Sequence, residues 1–274
     1  MLFHYQGITT LITGSSSGIG ECFARELASR GSHVILTARS KDKLETLAAA
    51  LRHDFKIQAN VFAADLSETQ GPQKLFDEIR GAGLSVDLLI NNAGFGSLGL
   101  FEKSSFASNQ DMIQVNVSSL TALTHLFLPG MFERAPEKRG QVAATGTLFS
   151  GGVINVASTA SFQPLPRLAL YAATKAFVLS FTEALWAEYK NHGVKFFCLC
   201  PGNTASNFHD KAGMDKRYRF LQAKTEDLVR FGLDTFAFTH RITAVHGFLN
   251  QILALGYRFA PRKLVVLIAS LLYR

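Results

Sequence analysis

Ile8-Thr9-Thr10-Leu11-Ile12-Thr13-Gly14-Ser15-Ser16-Ser17-Gly18-Ile19-Gly20 decides the fold of this chain. Residues 8–13 read as a buried strand, and the glycine-rich turn after them passes directly into a helix. Ile19, Phe23 and Leu27 recur every fourth residue there, so one stripe of that helix faces the sheet. A turn joining the first strand to the first helix is where a doubly wound sheet places a pyrophosphate. Glycines let the backbone turn sharply and approach phosphate oxygens, and the free N–H groups of a helix start supply donors and partial positive charge. Gly14, Ser16, Ser17, Gly18, Ile19 and Gly20 are therefore candidate phosphate-binding positions. The spacing is Gly-x-x-x-Gly-x-Gly rather than Gly-x-Gly-x-x-Gly, and a turn that merely closes a strand has the same letters.

Outward from that turn, short apolar runs alternate with amphipathic stretches, the pattern of repeated βαβ units around a parallel sheet buried on both faces. Strands are expected at 8–13, 33–38, 58–64, 88–91, 152–157 and 194–199, and further helices at 42–51, 68–80, 109–128 and 171–190. The expected architecture is a single α/β domain over 1–274: a doubly wound, Rossmann-type, seven-stranded parallel sheet with helices on both faces. No composition shift marks a second domain, and no repeat is present. Residues 132–150 carry turn formers where a direct helix-to-strand link would suffice and read as an insertion, with 133–151 as its bounds. Residues 203–230 are expected to cover the active site, and 240–274 to form an apolar, basic extension.

The chain has 274 residues, 47% hydrophobic and 18% charged, enough to bury one sizeable core and incompatible with disorder. Its net charge of +7 is uneven: residues 1–209 hold 17 basic and 16 acidic groups, residues 210–274 hold 11 and 5. Nucleic-acid binding wants a basic stripe across the fold and is not expected. Three cysteines cannot build a disulfide framework, and Cys198 and Cys200 share one face of a strand, which points to a reducing compartment. No His-x-x-x-His or Cys-x-x-Cys pair exists, so no metal site is expected. Met1 to Gly7 is a polar lead-in rather than a secretory signal, and a cytoplasmic protein is expected.

At the end of the second strand a carboxylate would accept the adenosine ribose hydroxyls of NAD. Here the residues are Thr37-Ala38-Arg39-Ser40, with no acid and one guanidinium. Arg39 can pair with a ribose 2′-phosphate, so NADP is favoured over NAD; the alternative is a solvated surface arginine. Tyr171 and Lys175, four apart, share a helical face. A phenol near pKa 10 becomes a usable acid and base when a neighbouring ammonium favours the phenolate. Alone, the pair is also what an aromatic core residue beside a surface lysine looks like. Ser158 follows the fifth strand, thirteen residues ahead of Tyr171, and Asn116 lies in the fourth helix.

Together, TGSSSGIG, Asp65-Leu66, Asn91-Asn92-Ala93-Gly94, Asn116, Ser158, YAATK and Pro201-Gly202, in this order, resemble the short-chain dehydrogenase/reductase family over nearly the whole chain. The resemblance implies that Tyr171 is the acid/base, that Lys175 lowers its pKa and holds the nicotinamide ribose, that Ser158 hydrogen-bonds the substrate carbonyl, and that Asn116 positions a water. It implies further that Asp65 and Leu66 contact the adenine, that Asn92, Ala93 and Gly94 line the cofactor floor, and that Pro201, Gly202 and Thr204 hold the nicotinamide end. For Asn92 and Asn116, local backbone capping is the competing account. The longer link at 132–150 lies opposite the strands' carboxyl edge, beside the family's usual dimer surface, and a homodimer or homotetramer is expected. Ser206 stands where many relatives have threonine.

Phe208, Met214, Tyr218, Phe220 and Leu221 after Gly202, with Phe95, Leu98, Leu100, Phe162 and Leu165, favour an apolar substrate, a fatty-acyl chain, steroid-like ring or retinoid, over a sugar; a lid packed on the domain explains the same residues. Within the family the chain looks like the branch of 3-oxoacyl, hydroxysteroid and ketoacyl-CoA reductases. The implied activity is NADP(H)-dependent hydride transfer to or from a carbonyl or alcohol; a catalytically silent NADP-binding or scaffold protein is the rival. The apolar decamer 264–273 behind Pro261-Arg262-Lys263 is too short to span a bilayer, which needs roughly 20 residues. Docking on the domain or in a dimer is preferred for it over a lipid interface.

Overall fold

Seven parallel strands form one sheet in the order β3-β2-β1-β4-β5-β6-β7: β1 Thr9–Thr13, β2 His33–Thr37, β3 Ala59–Val61, β4 Leu88–Asn91, β5 Gly151–Val156, β6 Val194–Cys200 and β7 Thr243–Val245. The computed structural model describes residues 2–145, 149, 151–205 and 222–272. The helices described are α1 Gly18–Ser29, α2 Lys41–Phe55, α3 Gly71–Gly81, α4 Phe106–Ile113, α5 Leu120–Thr145, α6 Ala169–Tyr189, α7 Thr225–Phe238, α8 Phe248–Gly256 and α9 Arg262–Leu272.

Because each strand runs parallel to the next, every connection crosses over a face of the sheet, and the helices bury both faces. One layer packs Phe23, Leu27, Leu44, Leu51 and Phe236 against Ile12, Leu36, Ile90 and Phe197. The other packs Leu75, Ile79, Leu123, Phe127 and Met131 against Leu11, Ile35, Leu89 and Phe196. Strand residues of alternate parity thus serve opposite layers, as the pleat requires. The order reverses between β1 and β4, and ligands of such sheets bind outside the carboxyl ends at that switch.

Four elements depart from the expectations. The strand expected at 58–64 is only the three residues of β3. The stretch expected as one helix at 109–128 is α4, then a π-helical turn Gln114–Ser119, then α5. The turn formers at 132–150 do not end α5, whose backbone stays helical through Thr145. Its buried Leu120, Leu123, Phe127, Leu128 and Met131 carry it to a segment rich in good helix formers. The start of that segment sits at the sheet's amino edge, where Arg134 Nη2 donates to the Val86 carbonyl at 2.6 Å. β7, only three residues long, has no run long enough to show alternation. Cys198 and Cys200 share a face, Sγ to Sγ 3.8 Å, and both are free thiols.

Candidate active site

The carboxyl ends of β1, β2, β4, β5 and β6 open onto one cleft of about 770 Å³. Gly14 and Gly18 adopt φ of +66° and +58°, which turn the chain off β1 into α1. Ser17 precedes α1 with extended backbone and makes no side-chain cap, so its hydroxyl leaves the amides at the helix start uncapped, and Ser16, Ser17, Gly18 and Ile19 line the cleft. Gly20 does not line the cleft. It lies beneath the turn, where a Cβ would stand 2.3 Å from the Gly14 carbonyl oxygen. Its hydrogen is what permits the turn to close.

Thr13, which sequence reasoning did not single out, staples this turn to the floor. Its Oγ1 accepts from the Asn92 and Ala93 amides, both at 2.9 Å, and Asn92 Nδ2 donates to the Thr13 carbonyl at 2.9 Å. The Asn92 side chain is thus a backbone clamp, while Asn92, Ala93 and Gly94 together line the cleft. A Cβ on Gly94 would approach Asn116 Oδ1 at 3.0 Å and Lys175 Nζ at 3.3 Å.

At one end, Arg39 and Asp65 line the cleft with Leu66. Burial raises the Asp65 carboxyl, but hydrogen bonds from the Ser67 amide and hydroxyl and the charge of Arg39 outweigh it, leaving the carboxyl below its ordinary range. Ser67 and Gly71 were not found from sequence. Gly71 admits no Cβ, which would fall 2.1 Å from the Asp65 carbonyl. Pro201, Gly202 and Thr204 line the other end, where Thr204 Oγ1 donates to the Gly202 carbonyl.

Between these ends stand Ser158, Tyr171 and Lys175. Ser158 leaves β5 with extended backbone, and its Oγ accepts from the Ala160 amide at 3.1 Å, which fixes the hydroxyl at the strand's mouth. Tyr171 and Lys175 are one turn apart on α6, with Nζ 5.9 Å from the phenol ring centroid. Lys175 is buried; Nζ donates to the Val156 carbonyl at 2.8 Å, tying α6 to the end of β5. Burial lowers its ammonium to about 8, against a smaller raising effect of Cys198 and Cys200, so it remains mostly charged at neutral pH. A phenol, a hydroxyl and an ammonium at the same wall can exchange a proton with a carbonyl or alcohol oxygen.

The family model described as short chain dehydrogenase matches residues 9–217, which span the glycine turn, Ser158, Tyr171 and Lys175. The chain belongs to the short-chain dehydrogenase family. It is 34% identical over 219 residues, 77% of its length, to the very-long-chain 3-oxoacyl-CoA reductase of Anas platyrhynchos, of which it spans 64%. It is 30% identical to hydroxysteroid dehydrogenase-like protein 1 of Gallus gallus, covering 86% of this chain and 67% of that one. A solved short-chain dehydrogenase from Sphingobium yanoikuyae in complex with NADPH superposes with a TM-score of 0.76 at 29% identity, covering 92% and 93% of the two chains. Another solved relative, a ketoacyl reductase from Brucella melitensis, is complexed with NADH.

In this short-chain dehydrogenase Asn116 stands behind the cleft rather than on its wall. The π-helical turn aims its carboxamide at the main chain of Phe95: Oδ1 accepts from the amide at 3.1 Å and Nδ2 donates to the carbonyl at 2.9 Å and to Thr174 Oγ1 at 3.0 Å. Thr174 in turn donates to the Tyr171 carbonyl at 2.8 Å. Both amide donors are spent on these bonds, so the side chain positions the floor and α6. Of the residues expected to shape the substrate end, Phe95 and Leu165 line the cleft. Leu98 packs against the cluster that includes Tyr171, Phe162 belongs to the cluster that includes Ala254, and Leu100 is exposed. Ser206, Phe208, Met214, Tyr218, Phe220 and Leu221 lie outside the described residues. Among the described residues no His, Cys, Asp and Glu cluster could hold a metal.

Proposed function

We propose that the protein is an NADP(H)-dependent reductase of apolar ketones, with 3-oxoacyl thioesters the leading substrate class, and Tyr171 as its general acid/base. The observation that carries this is the convergence of Tyr171, Lys175 and Ser158 on the wall of a cleft whose far end presents Arg39. The residues fit a dinucleotide: Gly14, Gly18 and Gly94 line the cleft with no side chain to obstruct it, and the start of α1 offers its amides. When bound, the nicotinamide supplies or accepts the hydride. Gly14, Ser16, Ser17, Gly18 and Ile19 would hold the pyrophosphate, and Asp65 and Leu66 the adenine end. Asn92, Ala93 and Gly94, with Pro201, Gly202 and Thr204, would hold the nicotinamide end. Arg39, with no acid at 37–40, supports a 2′-phosphate and hence NADP over NAD.

Tyr171 would give its proton to the carbonyl oxygen during reduction and take it back during oxidation. Lys175 favours the phenolate through its nearby charge, and Ser158 donates to the developing oxyanion. Phe95, Val115, Leu165 and Leu168 give the cleft an apolar side, which supports an acyl or ring substrate, in keeping with the oxoacyl reductase among its relatives. Tyr171→Phe should abolish NADPH oxidation across a panel of 3-oxoacyl thioesters and cyclic ketones while NADPH affinity by fluorescence stays within a few-fold. Near-normal turnover in that variant refutes the role of Tyr171, and a wild-type protein that binds NADPH but reduces no ketone favours the silent binding protein.

A further inference from the structure

Helices α8 and α9 are built inside out. An ordinary surface helix turns its apolar stripe to the core. Here each helix buries one alanine among its described residues, Ala254 and Ala269. Leu264, Leu267, Ile268 and Leu271 repeat at one-turn spacing on α9 and are all about half exposed or more. On α8, Phe248 is 78% exposed, and in the turn after it Phe259 is 88% exposed. Ten of the eighteen large apolar side chains exposed among the described residues lie between Phe248 and Leu271. The extension expected to dock on the domain therefore buries little of its apolar surface there, and most of its large apolar side chains face outward.

Charge distinguishes the occupant. After Asp234 the remaining forty residues contain five Lys and Arg and no Asp or Glu. Arg262 and Lys263 are exposed at the first turn of α9, where the helix dipole disfavours cations, so nothing in this helix accounts for their sign. A second copy docked by a twofold axis would set this basic face against itself. An anionic bilayer surface complements both properties at once, since apolar side chains sink below the headgroups while arginine and lysine meet the phosphates. Among the described residues no helix is long and apolar enough to cross a membrane, so contact is by a face.

The face also borders the candidate active site. Ala269 belongs to the cluster that holds Tyr171, Leu165 and Leu168. Tyr257, between the two helices, packs its ring 6.1 Å from that of Phe162, and Asn250 of α8 lies so close to Gly202 that a Cβ there would meet its amide at 2.2 Å.

We infer that α8 and α9 form a peripheral docking face for anionic lipid bilayers beside the mouth of the cleft. Delivery of an apolar substrate from the bilayer is the part of this that rests on the proposed function; docking itself does not. The test is co-sedimentation of the full-length protein with vesicles of phosphatidylcholine alone and of phosphatidylcholine with phosphatidylserine, alongside light-scattering mass measurement without lipid. Binding should require phosphatidylserine, weaken with salt, and fall at least about tenfold in Leu253→Glu with Leu267→Glu and in Arg262→Glu with Lys263→Glu. These side chains are exposed, so circular dichroism and melting temperature should be unchanged. Absence of pelleting with either vesicle, pelleting unaffected by the substitutions, or an oligomer that the same substitutions dissociate overturns the inference, the last in favour of a second copy. Vesicle binding without ketone reduction would leave docking standing and sink the proposed activity; reduction without vesicle binding would do the reverse.

Discussion

Replacing Lys175 by methionine should make the cofactor-free protein more stable while removing its activity. The ammonium is held at about 8 rather than 10.5 by burial, which corresponds to about 3 kcal/mol of disfavoured charge at neutral pH. Methionine occupies similar space without charge, but it strips the Val156 carbonyl of its donor, a loss of about 1–2 kcal/mol. The net gain at pH 7 is therefore about 1–2 kcal/mol, or a melting temperature higher by a few degrees. The pH dependence gives the argument its sign. Because the folded pKa is depressed, the unfolded chain binds the extra proton between about 8 and 10.5, so the charge penalises folding fully below about 8 and is relieved as pH rises through that window. From pH 7 to pH 9 the advantage of the variant over the parent should shrink by about 1 kcal/mol. Lys195, also lowered to about 8 by burial, and Cys22, raised to about 11, titrate in both proteins and cancel in the difference. Urea unfolding at the two pH values measures it. A variant less stable than the parent at pH 7, with the same gap at pH 9, refutes the claim that this lysine is kept against the interest of the fold.

Two further outcomes follow from the geometry. Gly20→Ala drives a methyl into the Gly14 carbonyl at 2.3 Å, against backbone rather than the end of a flexible side chain, and should weaken NADPH binding by about tenfold or more in a fluorescence titration and lower the melting temperature; unchanged affinity would show that the turn does not need this closure. Arg39→Leu should raise the KM for NADPH by about 10- to 100-fold and leave that for NADH within a few-fold, since only a 2′-phosphate loses a charge-assisted partner. Equal effects on both cofactors would make Arg39 a bystander.

The alternation of apolar runs with amphipathic stretches was enough to read six of the seven strands, since parallel strands buried on both faces announce themselves by unbroken hydrophobicity. β7 has three residues and offers no period to detect; it exists because β6 has a free edge for Thr243 to Val245 to pair with. The π-helical turn at Gln114–Ser119 escaped for a related reason. Nothing local breaks the helical pattern there, and the turn is set by where Asn116 can reach the Phe95 backbone, twenty-one residues away in sequence.

Residue chemistry and order alone pointed to the glycine turn, the Tyr171–Lys175 pair on one helical face and the missing acid beside Arg39, because each depends on local geometry or on what a side chain can donate. Only the tertiary structure decided that these distant stretches share one cleft, that Asn116 serves the backbone behind it, and that Thr13 binds the turn to the floor. Those facts depend on contacts between strands far apart in the chain. The same holds for α8 and α9: periodicity shows that a helix has an apolar stripe, but which way the stripe faces depends on what else the core has already filled.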